Sequence, residues 1–344
     1  MRPLRSMGAR PDPESLRRSP HFDGRIFHNS TPSTVMPPDS ARKIFRELMF
    51  GKQKRRPDSP IPIVTPNFDP PILGAHQGLR AVWFGHASTL VEIEGRRVLI
   101  DPVWSLRCSP SQSVGPKRLH PMPLALGELP TLDAIVISHD HYDHLDMATV
   151  IALARRQSTP FLVPLGVGAH LRRWTVPGER IIELDWDEEV TVAGLRLVAT
   201  EARHFSGRAF SRNETLWGSW VIAGERHRVF YTGDTGYFAG FSEIGRQHGP
   251  FDMTLIQVGA YSPYWPDIHM TPEEAVRTHL DARGGLLIPV HWATFNLALH
   301  PWSDPVDRIW RCAKEQEVSL SIPRPGERVD AAAPLEVDGW WQGL

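Results

Sequence analysis

Cysteine is nearly absent from this 344-residue chain: there are two, Cys108 and Cys312, 204 positions apart and without a CxxC spacing. That scarcity argues against a disulfide framework and a thiolate metal cage. It makes a reducing cytoplasm the expected location, with a peripheral place at a membrane left open. Net charge is lacking too. Thirty-eight Lys and Arg against 39 Asp and Glu give −1, with a pI near 7. No field of the whole molecule therefore draws the chain to nucleic acid or to an anionic membrane, and any such attraction has to be local. No apolar stretch nears the roughly 20 residues of a spanning helix. The first thirty residues, rich in Arg, Pro and Ser, carry no apolar segment of the secretory kind. A hydrophobic content of 41% nevertheless suffices for a sizeable core in one large or two ordinary domains.

Proline is the residue in excess, and it crowds into positions 3–71 and into loops downstream. Residues 1–75 accordingly read as an extended arm with one helical segment, Ser40 to Phe50, started by Asp39 or Ser40 and closed by Gly51. That helix is amphipathic and basic: Ile44, Phe45, Leu48 and Met49 share a side, among Arg42, Lys43 and Arg46, and then Lys52, Lys54, Arg55 and Arg56. The arm either docks on the protein's own core or brings the helix to a membrane surface. Residues 76–344 form the second unit. Short apolar strands, Arg80–Phe84, Thr89–Ile93, Arg97–Ile100, Ala134–Ile137, Phe161–Val163, Ile181–Leu184, Leu195–Ala199, Ser219–Ile222, Val229–Thr232, Met253–Gln257 and Leu286–Val290, alternate there with helical patterns. The expected helices are Met147–Gln157, Gly166–Trp174, Phe238–Gln247, Thr271–Leu280 and Asp304–Lys314. The fourth opens on a capping box, Thr271-Pro272-Glu273-Glu274. Strand-rich halves that each end in helices predict an α+β sandwich of two mixed sheets covered by helices.

The chemistry concentrates in Ser138-His139-Asp140-His141-Tyr142-Asp143-His144, an HxHxDH pattern directly after the apolar run Ala134–Ile137. Imidazole and carboxylate suit zinc, with bonds of roughly 2.0–2.2 Å, and a catalytic site leaves a position open for water. Packing His139 and His141 beside Asp143 and His144 points to two metals. Three further islands lie at strand ends: His204 after Leu195–Ala199, Asp234 in Gly233-Asp234-Thr235-Gly236, and His291 after Ile288-Pro289-Val290. Singly, each has an ordinary reading as a structural histidine or a turn former. Together with HxHxDH they complete a dinuclear set.

In this order the ligands resemble those of the metallo-β-lactamase superfamily. The resemblance implies the superfamily's αββα sandwich and two Zn²⁺, one held by His139, His141 and His204, the other by Asp143, His144 and His291, with Asp234 bridging. Other divalent metals remain open. Gly85-His86-Ala87-Ser88, Gly115-Pro116-Lys117-Arg118, Leu216-Trp217-Gly218-Ser219-Trp220, Gly233–Tyr237, Gly259-Ala260-Tyr261 and His291–Phe295 narrow the match. Over about residues 78–300 they resemble the N-acylphosphatidylethanolamine-hydrolysing phospholipase D family. The implied activity is phosphodiester hydrolysis of N-acylphosphatidylethanolamine or a related phospholipid. Two cations roughly 3.5–4 Å apart would bring a bridging water toward ionisation at neutral pH and clamp an in-line displacement at phosphorus.

On this reading the catalytic set is Asp143 and Asp234 among the ligands, with Asp101 and His269 beside them. Asp101, in Leu99-Ile100-Asp101-Pro102, would orient a ligand or the hydroxide by hydrogen bonding. His269, in His-x-x-Pro-Glu-Glu-Ala, would bind the phosphoryl oxygen or protonate the leaving group. His86 is expected to be structural or to stand behind the ligands. Trp217, Trp220, Trp265 and Trp292 would either pack in the core or line a lipid groove, and Lys117 and Arg118 would meet a headgroup or solvent. The animal phospholipases carry a lysine and a glutamine where this chain has Gly207 and Ile268. The alternative is a hydrolase of the same fold acting on a lactone, a β-lactam or another carboxyl derivative. A diiron oxidoreductase would place a carboxylate where His141 stands, and a lipid-binding scaffold would not keep all seven ligands. No nucleic-acid partner is expected, and a homodimer stays open.

Overall fold

The computed structural model describes residues 5–35, 37, 40–68, 78–208 and 211–344. Two seven-stranded sheets face each other. In chain order the strands are β1 (Leu79–Gly85), β2 (Ser88–Ile93), β3 (Arg96–Ile100), β4 (Ala134–Val136), β5 (Phe161–Pro164), β6 (Ile181–Leu184) and β7 (Glu189–Val192). They continue as β8 (Leu195–Thr200), β9 (Ser219–Ala223), β10 (Arg228–Tyr231), β11 (Phe251–Gln257), β12 (Gly284–Val290), β13 (Ser319–Leu320) and β14 (Arg328–Asp330). The helices are α1 (Pro13–Leu16), α2 (Ser40–Phe50), α3 (Met147–Arg156), α4 (Gly168–Arg173), α5 (Gly240–His248), α6 (Pro272–Asp281) and α7 (Asp304–Glu315). Sheet orders are β14-β1-β2-β3-β4-β5-β6 and β13-β12-β11-β10-β9-β8-β7.

Each sheet is antiparallel in one half and parallel in the other: β3 to β6 run parallel, as do β10 to β13. The parallel strands read as unbroken apolar runs because both of their faces are covered. Side chains of period two show this directly. On β1, Ala81 and Trp83 join the core between the sheets, whereas Val82 and Phe84 face outward with Val150 and Leu153 of α3 and Leu171 of α4. Phe241 of α5, Val276 of α6 and Ile309 of α7 close the second sheet. The αββα sandwich expected from the sequence is the observed fold.

Several boundaries move for local reasons. Helix α4 starts at Gly168 rather than Gly166, since Gly166 sits at φ +86°, outside the helical region. α5 starts at Gly240 rather than Phe238, and β11 two residues earlier than expected, at Phe251. The Thr271 capping box forms as expected, with both reciprocal hydrogen bonds. β7 and the two short edge strands β13 and β14 were not anticipated.

Within the arm, Leu16 and Phe27 are buried against Leu165, Trp186, Leu216 and Trp217, and Ile61 enters the central core. Helix α2 keeps its expected bounds and stands outward, with Phe45, Met49 and Phe50 exposed by 64%, 60% and 76%. Asp39 and the side chain of Leu48 lie outside the described residues. No helix among the described residues is long and apolar enough to cross a membrane.

Candidate metal centre

All candidate ligands follow strand ends: one strand, β4, is in the first sheet, and three, β8, β10 and β12, alternate across the second. The HxHxDH loop follows β4, His204 follows β8, Asp234 follows β10 and His291 follows β12. The C-terminal rim of parallel strands is where connections diverge and leave a crevice. Backbone conformation there is unusual: His86, Asp101 and His291 adopt positive φ of 52°, 39° and 67°. Non-glycine residues in that region cost about 1–3 kcal/mol each, and such strain gathers at functional sites. Gly233, at φ +58°, has a different reason for its identity. A Cβ there would sit 2.7 Å from the Gly218 carbonyl and 2.9 Å from Ser138 Cβ, so only glycine lets Asp234 approach the loop.

The structure brings the seven residues together in two adjoining groups. His139 Nε2 and His141 Nδ1 are 2.8 Å apart, and His204 Nε2 is 3.3 Å from the same His141 nitrogen. Nitrogens bound at zinc distances to one tetrahedral centre are separated by ~3.3 Å. In the second group Asp143 Oδ2 lies 3.2 Å from His291 Nε2 and 3.4 Å from His144 Nε2. Asp234 Oδ2 stands between the groups: 3.1 Å from His291 Nε2, 3.2 Å from His144 Nε2, and 3.9 Å from both His139 Nε2 and His204 Nε2. His144 Nε2 and Asp234 Oδ1 are buried and make no hydrogen bond. Buried polar atoms are rarely left so, and donor atoms that converge without protons to share form a set that a cation satisfies. The cluster is therefore capable of binding metal.

Electrostatics fit that role. Burial holds the imidazoles of His139 and His204 well below the ordinary histidine range, keeping them neutral as ligands. Burial opposes the charge of Asp143 and Asp234 as well, but His144 and the surrounding imidazoles outweigh it and keep both carboxyls well below their usual range.

Asp101 is fully buried behind the cluster. Its Oδ2 accepts from His144 Nδ1 at 2.7 Å, and from the hydroxyls of Ser138 and Tyr231. His269 lies on the open side, its Nδ1 3.9 Å from Asp234 Oδ2, and burial lowers its pKa to about 4. With Asp143 and Asp234 it lines a cleft of about 240 Å³ whose other walls are Val35, Phe205, Trp265, Ile268 and Leu297, with Arg212 at the side. Of the four tryptophans, only Trp265 reaches this cleft; Trp217, Trp220 and Trp292 are core residues at 1%, 0% and 3% exposure. Arg118 is not a headgroup contact, because it is buried, donates to the Val103 carbonyl and lies over the Phe295 ring, while Lys117 is exposed. His86 Nε2 is 2.9 Å from Asp143 Oδ2, so it contacts a candidate ligand directly. Sequence reasoning missed Tyr231, Arg212 and Phe205. Of these, only Phe205 had a signal in the sequence, its place next to His204.

Fold and cluster together define a metal-dependent hydrolase of the metallo-β-lactamase type. Residues 96–292 match the family model described as the beta-lactamase superfamily domain, and the chain belongs to that family. It is 52% identical over 330 residues to an uncharacterized protein of Mycobacterium tuberculosis, covering 94% of this chain and 88% of that one. Over 233 residues it is 38% identical to the N-acyl-phosphatidylethanolamine-hydrolyzing phospholipase D 1 of Caenorhabditis elegans, covering 64% of this chain and 65% of the nematode protein. A metallo hydrolase from Ignicoccus hospitalis shares the fold, with TM-score 0.57 and 22% identity over 76% of this chain and 99% of that one.

Proposed function

We propose that this protein is a phosphodiesterase of the phospholipase D kind, acting on N-acylphosphatidylethanolamine or a related phospholipid. The observation that carries the reading is the cleft, where a metal-capable cluster, one cation and an apolar wall meet. His139, His141 and His204 would hold one metal, Asp143, His144 and His291 another, and Asp234 would serve both. Bound zinc supplies a Lewis acid and brings water toward ionisation at neutral pH. The Arg212 guanidinium, 5.1 Å from the centre of the Phe205 ring, pairs with phosphate oxygens at the cleft's side. Neutral His269 donates a hydrogen bond to a phosphoryl oxygen, and Val35, Trp265, Ile268 and Leu297 take apolar chain and exclude water. Similarity to the nematode phospholipase supports the substrate class.

The membrane partner fits α2. Seven cations, Arg42, Lys43, Arg46, Lys52, Lys54, Arg55 and Arg56, stand against Glu47 between residues 40 and 56, in a chain whose net charge is −1. Exposed Phe45, Met49 and Phe50 lie among them, the composition of an interfacial helix on anionic lipid. A concavity of about 470 Å³ is lined by Lys43, Arg46, Glu47, Phe50, Gly51 and Tyr264, and Trp265, next to Tyr264, lines the metal cleft. This adjacency supports delivery of lipid drawn by the helix to the cleft.

The test is mass spectrometry of products after zinc-loaded protein meets a phospholipid panel that includes N-acylphosphatidylethanolamine, beside Asp234→Ala. Phosphatidic acid released by the wild type alone supports the reading. No lipid cleavage, with opening of lactones or β-lactams instead, would replace it with carboxyl-derivative hydrolysis.

A further inference from the structure

The N-terminal arm precedes the matched family domain, yet it touches the metal cluster's supports at two places. The first is Asn29. Its Oδ1 accepts from the backbone N–H of His204 at 3.0 Å, and its Nδ2 donates to the carbonyl of the same residue at 2.8 Å. His204 lies four residues past the end of β8. On the preceding residue the chain still pairs across, the Gly236 N–H donating to the Arg203 carbonyl at 2.8 Å. At His204 itself a side-chain amide takes the place of a neighbouring strand, matching one donor and one acceptor to the two backbone groups. Asn29 is in turn fixed by Trp217 Nε1, which donates to its Oδ1 at 3.1 Å. Around it, Phe27 is fully buried, and Arg203 holds the Pro32 carbonyl and the Ser33 hydroxyl. The imidazole of His204 has a second restraint, Nδ1 donating to the Ile268 carbonyl at 2.9 Å.

The second place is the HxHxDH loop. Arg208 donates to the Ser6 carbonyl from Nε and Nη2, and from Nη1 to the carbonyls of Asp140 and Leu145. The Ala9 N–H donates to His170 Nδ1, which leaves Nε2 to carry the proton toward Asp140 Oδ2 at 3.2 Å. Arm and loop are thus joined through two buried side chains.

We propose that the arm is part of the metal centre, and that Asn29 is a positioning residue that sets the backbone of His204 for metal binding. The inference rests on the reading of His204 as a ligand. Replacing Asn29 by alanine leaves the His204 N–H and carbonyl without their partner, so the imidazole loses one of its two restraints.

The experiment uses the full chain with Asn29→Ala and Asn29→Asp. Zinc affinity is measured by competition with a chromophoric chelator, and melting is followed with zinc and with chelator in excess. Loss of a supporting hydrogen-bond partner weakens metal binding about 10–100-fold. That loss is expected for alanine. Aspartate keeps the acceptor for the N–H but sets a carboxylate against the His204 carbonyl, so it is expected to weaken binding as well. In both variants the zinc-induced rise in melting temperature shrinks more than the metal-free melting temperature falls. Unchanged zinc affinity in both variants, with wild type and variant melting shifted equally in the two conditions, would show a merely structural role and overturn the proposal. Absence of zinc binding by the wild type would overturn this inference and the ligand reading together.

Discussion

The carboxylate of Asp101 lies 2.7 Å from Nδ1 of His144, and both side chains are fully buried. That hydrogen bond fixes the orientation of His144, so that Nε2 faces Asp143 and Asp234. Tyr231 and Ser138 hold Asp101 from two further directions, one from β10 in the second sheet and one from the loop after β4 in the first. The carboxylate therefore ties the two sheets together beneath the cluster. Asp101→Asn removes the charge and, because both carboxylate oxygens accept, sets an amide NH2 against a donor: the Ser138 backbone N–H if its oxygen stays toward His144, or His144 Nδ1 if it turns. A 10–100-fold loss of zinc affinity, or about that order, is expected, read by chelator competition, with melting of the metal-free protein as the control for folding. Tyr231→Phe, which removes one of the supports, should fall between wild type and Asp101→Asn.

Asp234 has a different position, within 3.9 Å of a nitrogen from each group. Asp234→Ala should therefore affect both metals at once. Elemental analysis of dialysed protein is expected to give about two zinc ions per chain for wild type, the number a two-metal site holds, and one or fewer for the variant. Turnover should fall by more than about a hundredfold, the scale on which losing one electrostatic stabiliser acts. Two full equivalents retained by the variant would remove Asp234 from the bridging role.

Arg212 is exposed and lies over the Phe205 ring at 5.1 Å, at the side of the cleft. As a phosphate partner it acts on binding more than on the chemical step. Arg212→Ala should raise KM about tenfold with kcat changed less, the size of one charge-assisted hydrogen bond. Arg212→Lys should recover part of the loss. The same KM for wild type and alanine variant would exclude the contact.

For α2, vesicle co-sedimentation separates charge from apolar insertion. Wild type should pellet with vesicles of phosphatidylcholine and phosphatidylglycerol but much less with phosphatidylcholine alone, and the difference should shrink as salt rises. Lys43→Glu with Arg46→Glu should abolish the anionic preference. Phe50→Ser should weaken binding to both vesicle types. Deleting the arm is a poor test, because residues 6, 9 and 29 bear on the metal loop and on His204. Equal pelleting by wild type and the charge-reversed protein would remove the membrane role from α2.

The strands that carry the ligands were legible as short apolar runs: HxHxDH, Asp234 and His291 follow parallel strands buried on both faces, and His204 follows the antiparallel β8, which is mostly apolar and buried. β7 escaped notice for the opposite reason. Glu189, Val190, Thr191 and Val192 form an edge strand with no fully buried residue, so no apolar run marks it. Arg118 read as a loop cation because nothing in sequence shows that its charge ends under Phe295. Asn29 lies 175 positions from His204, and its role exists only through tertiary contact. Arg212, similarly, is one arginine among many until the fold brings it beside His141 and Asp234.

Glu94 offers a test of the sandwich itself, away from the metals. At the turn between β2 and β3 it accepts the backbone N–H groups of Glu225, Arg226 and His227, each at 2.8 Å, from the turn between β9 and β10. One carboxylate thus joins the two sheets. Burial alone would raise its pKa, but the N–H groups of Arg226, His227 and Glu225, with the His227 ring, bring it down to about 2. The unfolded chain takes up the proton first as pH falls, near the ordinary value of 4.5, whereas the folded chain resists until about 2. The stabilisation is therefore fully present above pH 4.5 and is lost between there and about 2, with a size on the order of 3 kcal/mol. Glu94→Gln should be less stable than wild type at pH 7, and the gap should close as acid is added through that window. Urea melts at pH 7, 4.5 and 3 measure it. A gap that stays constant across the three would mean that the charge of Glu94 contributes nothing to holding the sheets together.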